Sequence, residues 1–310
     1  MNQSVKNWLK SPAAIPLALI AIVVVYFWGM CDVYSVLHNR ESEVFQWMMD
    51  SWNERNDLLH GFAVPFLFVA FCFKAAKVMM KEAPSKGGVG LVILAFGMLL
   101  FVASARTIQP RLALVGLPFL ISGSVIYCCG WKAGRHMLFP AFFWYFAMPV
   151  PGLNQMTNVL QVLVTGACYQ VGVFSGMELV KSGNNIYSAT EAWDFNIAEG
   201  CSGIRSLMAL VMIAAIFAYY TQKELWKKIV VFGASLPLAL IGNFFRVFTI
   251  LILAELGYDD FAANSYHDFS GLLLFFPAAL VGLLLLDRVL NPSKYKKKVK
   301  ITQRGETNEE

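Results

Sequence analysis

The chain has 310 residues, of which 57% are hydrophobic and 15% charged, and its mean hydropathy is +0.57. A soluble globular domain is about a quarter charged, so this composition excludes an ordinary soluble fold and points to an integral membrane protein. The net charge of +5 does not indicate a nucleic-acid partner, because the basic residues cluster at the ends of apolar stretches, where they read as cytoplasmic anchors.

Crossing about 30 Å of hydrocarbon takes roughly 20 apolar residues. About eight stretches qualify, some of them short, near 12–30, 58–80, 88–105, 111–130, 136–152, 203–221, 229–255 and 267–287. The first follows Lys6 and Lys10 and runs into Phe27-Trp28-Gly29-Met30 rather than a small-residue cleavage site. It is therefore expected to be a retained span.

With alternating spans, one side receives Lys6, Lys10, Lys74, Lys77, Lys81, Lys86, Lys132, Arg135, Lys223, Lys227, Lys228 and the basic residues of the tail. The other side receives only Arg40, Arg55, Arg106, Arg111, Lys181, Arg205 and Arg246. The bias predicts both termini in the cytoplasm of a cell bounded by this inner membrane.

Residues 154–174 are apolar but carry Asn154, Asn158, Gln161 and Thr165 as a stripe on one helical face. That pattern predicts a helix lying in the outer interface. Beyond it, Met177–Val180 and Ile186–Ser188 flank Ser182-Gly183-Asn184-Asn185, a hairpin signal. Trp193–Ile197 then alternates apolar and polar with period two. The expected fold is an all-α polytopic membrane protein of about eight spans with a small extracytoplasmic interfacial helix and β-like element. Residues 1–290 form one membrane domain in this reading, with the catalytic part at about 50–287. Residues 291–310 form a cytoplasmic tail, basic and then acidic.

The cysteines are Cys31, Cys72, Cys128, Cys129, Cys168 and Cys201, without metal-ligand spacing. No metal and no cofactor is expected. Cys201 stands apart within Ala198-Glu199-Gly200-Cys201-Ser202-Gly203-Ile204-Arg205-Ser206, at the mouth of a span. A helix N-terminus or a nearby cation lowers a thiol's pKa, and the free N–H groups there suit an oxyanion. Taken alone, the cysteine would read as a buried structural thiol.

Arg246, in Gly242-Asn243-Phe244-Phe245-Arg246-Val247, lies deep in the seventh stretch, toward its outer end. A cation there is costly and usually marks function. Asn243, one turn earlier, shares its face. His267 opens the eighth stretch, with Asp268 beside it to orient or charge the ring. Arg205 lies four residues after Cys201 and reads equally as a substrate or thiolate contact and as an interfacial anchor. His60, in Asp57-Leu58-Leu59-His60-Gly61, falls on the same side. A thiol, a cation and an imidazole on one side of a membrane are the parts of a cysteine peptidase or transpeptidase.

Cys201-Ser202-Gly203, Asn243-Phe244-Phe245-Arg246 and His267, in this order and spacing, resemble the exosortase/archaeosortase family over roughly residues 50–287. The Asp57–Gly61 and Met148-Pro149-Val150-Pro151 stretches also look like family features. Two departures leave the subtype open: Gly200 stands where the family usually has Ala, and Asp57-Leu58-Leu59 replaces an aromatic-Ser pair before His60. The resemblance implies an enzyme that processes exported proteins bearing a C-terminal sorting signal, a transmembrane helix and a basic end. Its partners would be those proteins and the lipid bilayer. The oligomeric state stays open, as do hydrolysis against transfer to an acceptor amine. A transporter with Asn243 and Arg246 in its path, and a membrane acyl or glycan transferase with His267 as base, stand as alternatives.

Overall fold

The computed structural model describes residues 18, 21–25, 44–53, 58–83, 85, 87–149, 153–190, 193–196, 204–262, 266–271 and 275–293. Within these ranges the side chains of 153, 154, 156, 157, 194–196, 204–206, 267 and 268 are not described. Contacts divide the chain into two compact units, residues 1–151 and 152–310.

In the first unit, α1 (Val44–Asp50) is followed by a 3-10 turn, Leu59–Ala63, that runs into α2 (Val64–Met79). Next come α3 (Gly88–Thr107) and α4 (Pro110–Gly134), an antiparallel hairpin joined by Ile108 and Gln109 alone. Hydrocarbon gives no hydrophobic drive for helices to associate, so small residues that let backbones approach take that role. A Cβ on Gly97 would lie 2.8 Å from the Leu120 nitrogen, and one on Gly116 would lie 2.9 Å from the Gly97 oxygen. Ile108 closes α3 in the left-handed region at φ 55°, an uncommon conformation for a β-branched residue.

Gly130, at φ 82° and ψ 167°, breaks α4. That region is essentially open to glycine alone. Beyond it the chain doubles back, so that a Cβ on Gly134 would lie 2.7 Å from the Ile126 Cα. The second arm continues through a 3-10 turn (Arg135–Met137), α5 (Leu138–Phe143) and another 3-10 turn (Trp144–Ala147). It runs along α2: the Met137 sulfur lies 3.7 Å from Cys72 Sγ, Phe71 meets Phe139 and Phe143, and Phe68 meets Trp144. Trp52 Nε1 fastens the far end by donating to the Ala147 carbonyl at 2.7 Å. The reversal thus falls between the stretches expected at 111–130 and 136–152. Lys74, Lys77, Lys81, Lys132 and Arg135 gather where α2 ends and α4 reverses, while Arg106 and Arg111 flank the opposite turn.

In the second unit, α6 (Leu153–Phe174) leads to β1 (Leu179–Ser182), β2 (Asn185–Ser188) and β3 (Asp194–Asn196), an antiparallel sheet in that order. Ser182 pairs with Asn185 across a two-residue loop whose first residue, Gly183, has φ 61°; glycine there suits a type II′ hairpin turn. Then follow α7 (Ile204–Thr221), α8 (Leu225–Glu255), the short α9 (Asp259–Phe261) and α10 (His267–Ser270), and α11 (Phe276–Leu290).

Part of the polar stripe of α6 is turned into the protein. Gln161 and Thr165 are buried, and the hairpin's Asn184 donates to Gln161 Oε1 at 3.1 Å and to Asn158 Oδ1 at 3.2 Å. Val164 and Cys168 pack on Val247, Ile250 and Leu251 of α8. Val159, Leu163 and Phe174 are exposed instead.

At one end of this unit, a buried carboxylate ties α7 to α11. Asp287 Oδ1 accepts from Gln222 Nε2 at 2.6 Å and from Asn291 Nδ2 at 2.8 Å. Lys227 Nζ reaches Asn291 Oδ1 at 3.2 Å and pairs with Glu224 at 3.1 Å. Lys227 and then Trp226, by hydrogen bonding, hold the Glu224 carboxyl below its usual range.

Among the described residues, Leu59–Met79, Gly88–Thr107, Pro110–Ala147 and Leu225–Glu255 are long and apolar enough to cross a membrane. Asn158–Phe174 and Leu207–Thr221 are shorter apolar helices. Lipid-type exposure accompanies the long ones, Phe66 on α2 being 79% exposed and Val92 on α3 71%. The expected count of about eight is thus matched only in part. The third of these helices is folded into two arms, α11 has 15 residues, and most of the stretch at 12–30 lies outside the described residues.

Gly130→Ala should lower stability by about 1–3 kcal/mol, because the new methyl forces a glycine-only conformation against Ser85. Thermal unfolding of the purified protein in detergent checks this. Gly88→Ala, where a Cβ meets nothing within 4 Å, should be nearly neutral.

Candidate functional site

Helix α8 has 31 residues, about 46 Å at 1.5 Å each, which exceeds the hydrocarbon thickness. It carries Lys227 and Lys228 in its first turn. Arg246 lies about 28 Å further along. The cation thus sits well away from the lysines, about 14 Å short of the helix's far end, on the turn that also bears Asn243.

Arg246 is only 9% exposed. Together with Asn243 it lines a small, half-open cavity whose walls are otherwise apolar. Leu210 of α7 forms one wall, Leu238 and Ala239 of α8 another, and Phe275, Phe276 and Ala279 the wall from the start of α11. Gly242 and Gly271 complete it. Asn243 and Arg246 supply the polar groups of that cavity.

The turn bearing His267 is placed by two contacts. Gly271, one turn on, lies against the Arg246 guanidinium, and a Cβ there would be 3.3 Å from Cζ. Tyr266, immediately before His267, hydrogen-bonds through its hydroxyl to Thr249 Oγ1 at 2.9 Å. Thr249 lies one turn beyond Arg246 on α8. The His267 turn therefore lies close to Arg246 on α8. The His267 and Asp268 side chains are not described.

Cys201, three residues before α7, lies outside the described residues. Arg205 falls in the first turn of α7, with its side chain not described. Leu210 on that helix reaches the Arg246 cavity. His60 belongs to the first unit, in the 3-10 turn that opens α2. Both its ring nitrogens are buried, with the backbone of Phe146 as their polar neighbour. Among the described residues, no group of His, Cys, Asp and Glu has the arrangement of a metal site.

Sequence reasoning missed Gly271, Thr249 and Tyr266. Gly271 falls on the face of Arg246 four residues after His267, one helical turn. That spacing was readable, but its partner on another helix was not.

The family model described as transmembrane exosortase (Exosortase_EpsH) matches residues 52–285. No curated protein and no solved structure matches the chain.

Gly271→Ala should be destabilising by roughly 0.5 kcal/mol, since the guanidinium must shift by a few tenths of an ångström. Gly242→Ala meets only Phe275, at 3.7 Å, and should be close to neutral. Paired thermal melts of the two variants in detergent check the contrast.

Proposed function

The chain belongs to the transmembrane exosortase family, and from that premise we propose that it is a membrane-embedded cysteine peptidase or transpeptidase. Its targets are exported proteins with a C-terminal sorting signal and transmembrane helix. It acts at the outer face of the cytoplasmic membrane, with both of its own termini in the cytoplasm. The observation that carries this reading is the contact of Gly271 with the Arg246 guanidinium. That contact brings the His267 turn to a buried cation, in a cavity shared with the helix that follows Cys201.

In the proposed reaction the Cys201 thiolate attacks the scissile carbonyl carbon. The resulting oxyanion is stabilised by Arg246 and by N–H groups at the start of α7. The C–N bond breaks as His267 gives a proton to the leaving amine, and the target remains as a thioester on Cys201. Water, or an acceptor amine, then attacks the thioester carbon, transfers its proton to His267 and releases the thiolate. Asn243 shares the cavity and orients the substrate carbonyl or Arg246. Arg205 and Asp268 support the thiolate and the imidazole. His60 stands as a further candidate for substrate positioning. A target anchored in the same bilayer reaches the enzyme at high effective concentration.

Cys201→Ala and Arg246→Ala should each lower target processing by at least about a hundredfold, with unchanged amounts of protein in the membrane. Immunoblots of a co-expressed target and mass spectrometry of a target fragment thioester-linked to Cys201 check this. Processing at the normal rate by stably inserted Cys201→Ala would rule the mechanism out and favour a transporter or transferase. Cys201 should also react with a membrane-impermeant thiol reagent from outside; labelling from the cytoplasmic side alone would reverse the topology.

A further inference from the structure

His267 lies in α10 (His267–Ser270), and the helical backbone continues through Tyr266 before it and Gly271 after it. These two flanking residues carry the contacts that set the turn's position relative to Arg246. From the tertiary contacts we infer that Tyr266 and Thr249 are positioning residues for the reaction: their hydrogen bond clasps the His267 turn to α8 one turn beyond Arg246. This inference rests on the roles proposed above for Cys201, Arg246 and His267.

The direction of the bond follows from the donors available. Thr249 Oγ1 lies 2.8 Å from the Phe245 carbonyl and 2.9 Å from the Arg246 carbonyl. Its single proton is directed to those acceptors. The Tyr266 hydroxyl, 2.9 Å away, therefore donates, and Thr249 Oγ1 accepts through a lone pair. A three-member chain results: Tyr266 O–H to Thr249 Oγ1, and Thr249 O–H to the backbone of the turn that bears Arg246. The clasp thus ends on the peptide unit of the cation it aligns. On the other side of His267, Gly271 rests on the guanidinium itself. Ser270, fully buried beside it, keeps that face inside the bundle. The His267 backbone is held at both ends by the same stretch of α8. Tyr266 is held further by the Phe261 ring, with centroids 6.1 Å apart. Tyr266→Phe consequently keeps the ring in place and removes only the bond.

The test reads the thiol rather than turnover, so no target needs to be identified. Purified full-length protein in detergent is alkylated with iodoacetamide from about pH 6 to 9, and the Cys201 peptide is quantified by mass spectrometry. His267→Ala and Arg246→Ala should slow alkylation near pH 7. Tyr266→Phe and Thr249→Val should each slow it in the same direction, by about threefold to tenfold, the range one hydrogen bond supports. Thr249→Ser, which keeps the hydroxyl, should match wild type. Two further results identify positioning rather than general loosening. The Tyr266→Phe and Thr249→Val double variant should be no slower than either single one, since both remove the same bond. Tyr266→Phe should add nothing in the His267→Ala background. Profiles of Tyr266→Phe and Thr249→Val that superimpose on wild type, while His267→Ala shifts, would overturn the clasp and leave the proposed chemistry intact. Wild-type profiles for His267→Ala and Arg246→Ala as well would overturn both.

Discussion

Hydrocarbon offers no partner to a peptide N–H or C=O, and this constraint governs nearly every choice the chain makes. Long stretches must satisfy their backbones as helices. Where the chain reverses at the end of an apolar helix, the break in its backbone ladder has to be covered. Gly130 shows how. Its conformation reverses the chain within a few residues, and the returning arm covers the break with Ala133, Gly134 and Met137. Near the reversal, the backbones of Ser85 and Gly87 donate to the carbonyls of Cys129 and Tyr127. The glycines along α3 and α4 follow from the same constraint, since close packing replaces the hydrophobic drive that water would supply.

Polar side chains inside the second unit obey the rule as well. Asp287 is buried and accepts from two amides. Gln161 is buried and accepts from the hairpin. The helix α6 turns Gln161 and Thr165 inward together with Val164 and Cys168, while Val159, Val162 and Leu163 are exposed. An amphipathic pattern fixes that a helix has two faces; it does not fix which face meets the protein. In a membrane protein the apolar face meets lipid as readily as core.

Arg246 is a buried charge of this unit, as is Asp287 at its other end. Burying a guanidinium carries a desolvation cost, and the fold accepts it at a place where a cavity, a second polar side chain and the turn of a histidine converge. The first unit holds its own polar residue of this kind, His60, enclosed at the end where Trp52 is bonded to Ala147.

By itself, the sequence determined the membrane character, the long apolar helices, the hairpin and the sorting of charges to opposite ends of each unit. These are written in composition and in periodicities of two and 3.6, which act over a few neighbouring residues. It also marked Arg246, Asn243 and His267, because a polar group in an apolar run stands out without any knowledge of packing. The sequence also placed a break between the stretches at 111–130 and 136–152, and tertiary structure decided that this reversal turns on Gly130, that Gln161 of α6 meets the hairpin, and that Gly271, Thr249 and Tyr266 bring the His267 turn against α8 near Arg246. Each of these depends on which residue of a distant segment arrives opposite. A glycine, a threonine and a tyrosine look alike in sequence whether they meet lipid or a buried cation.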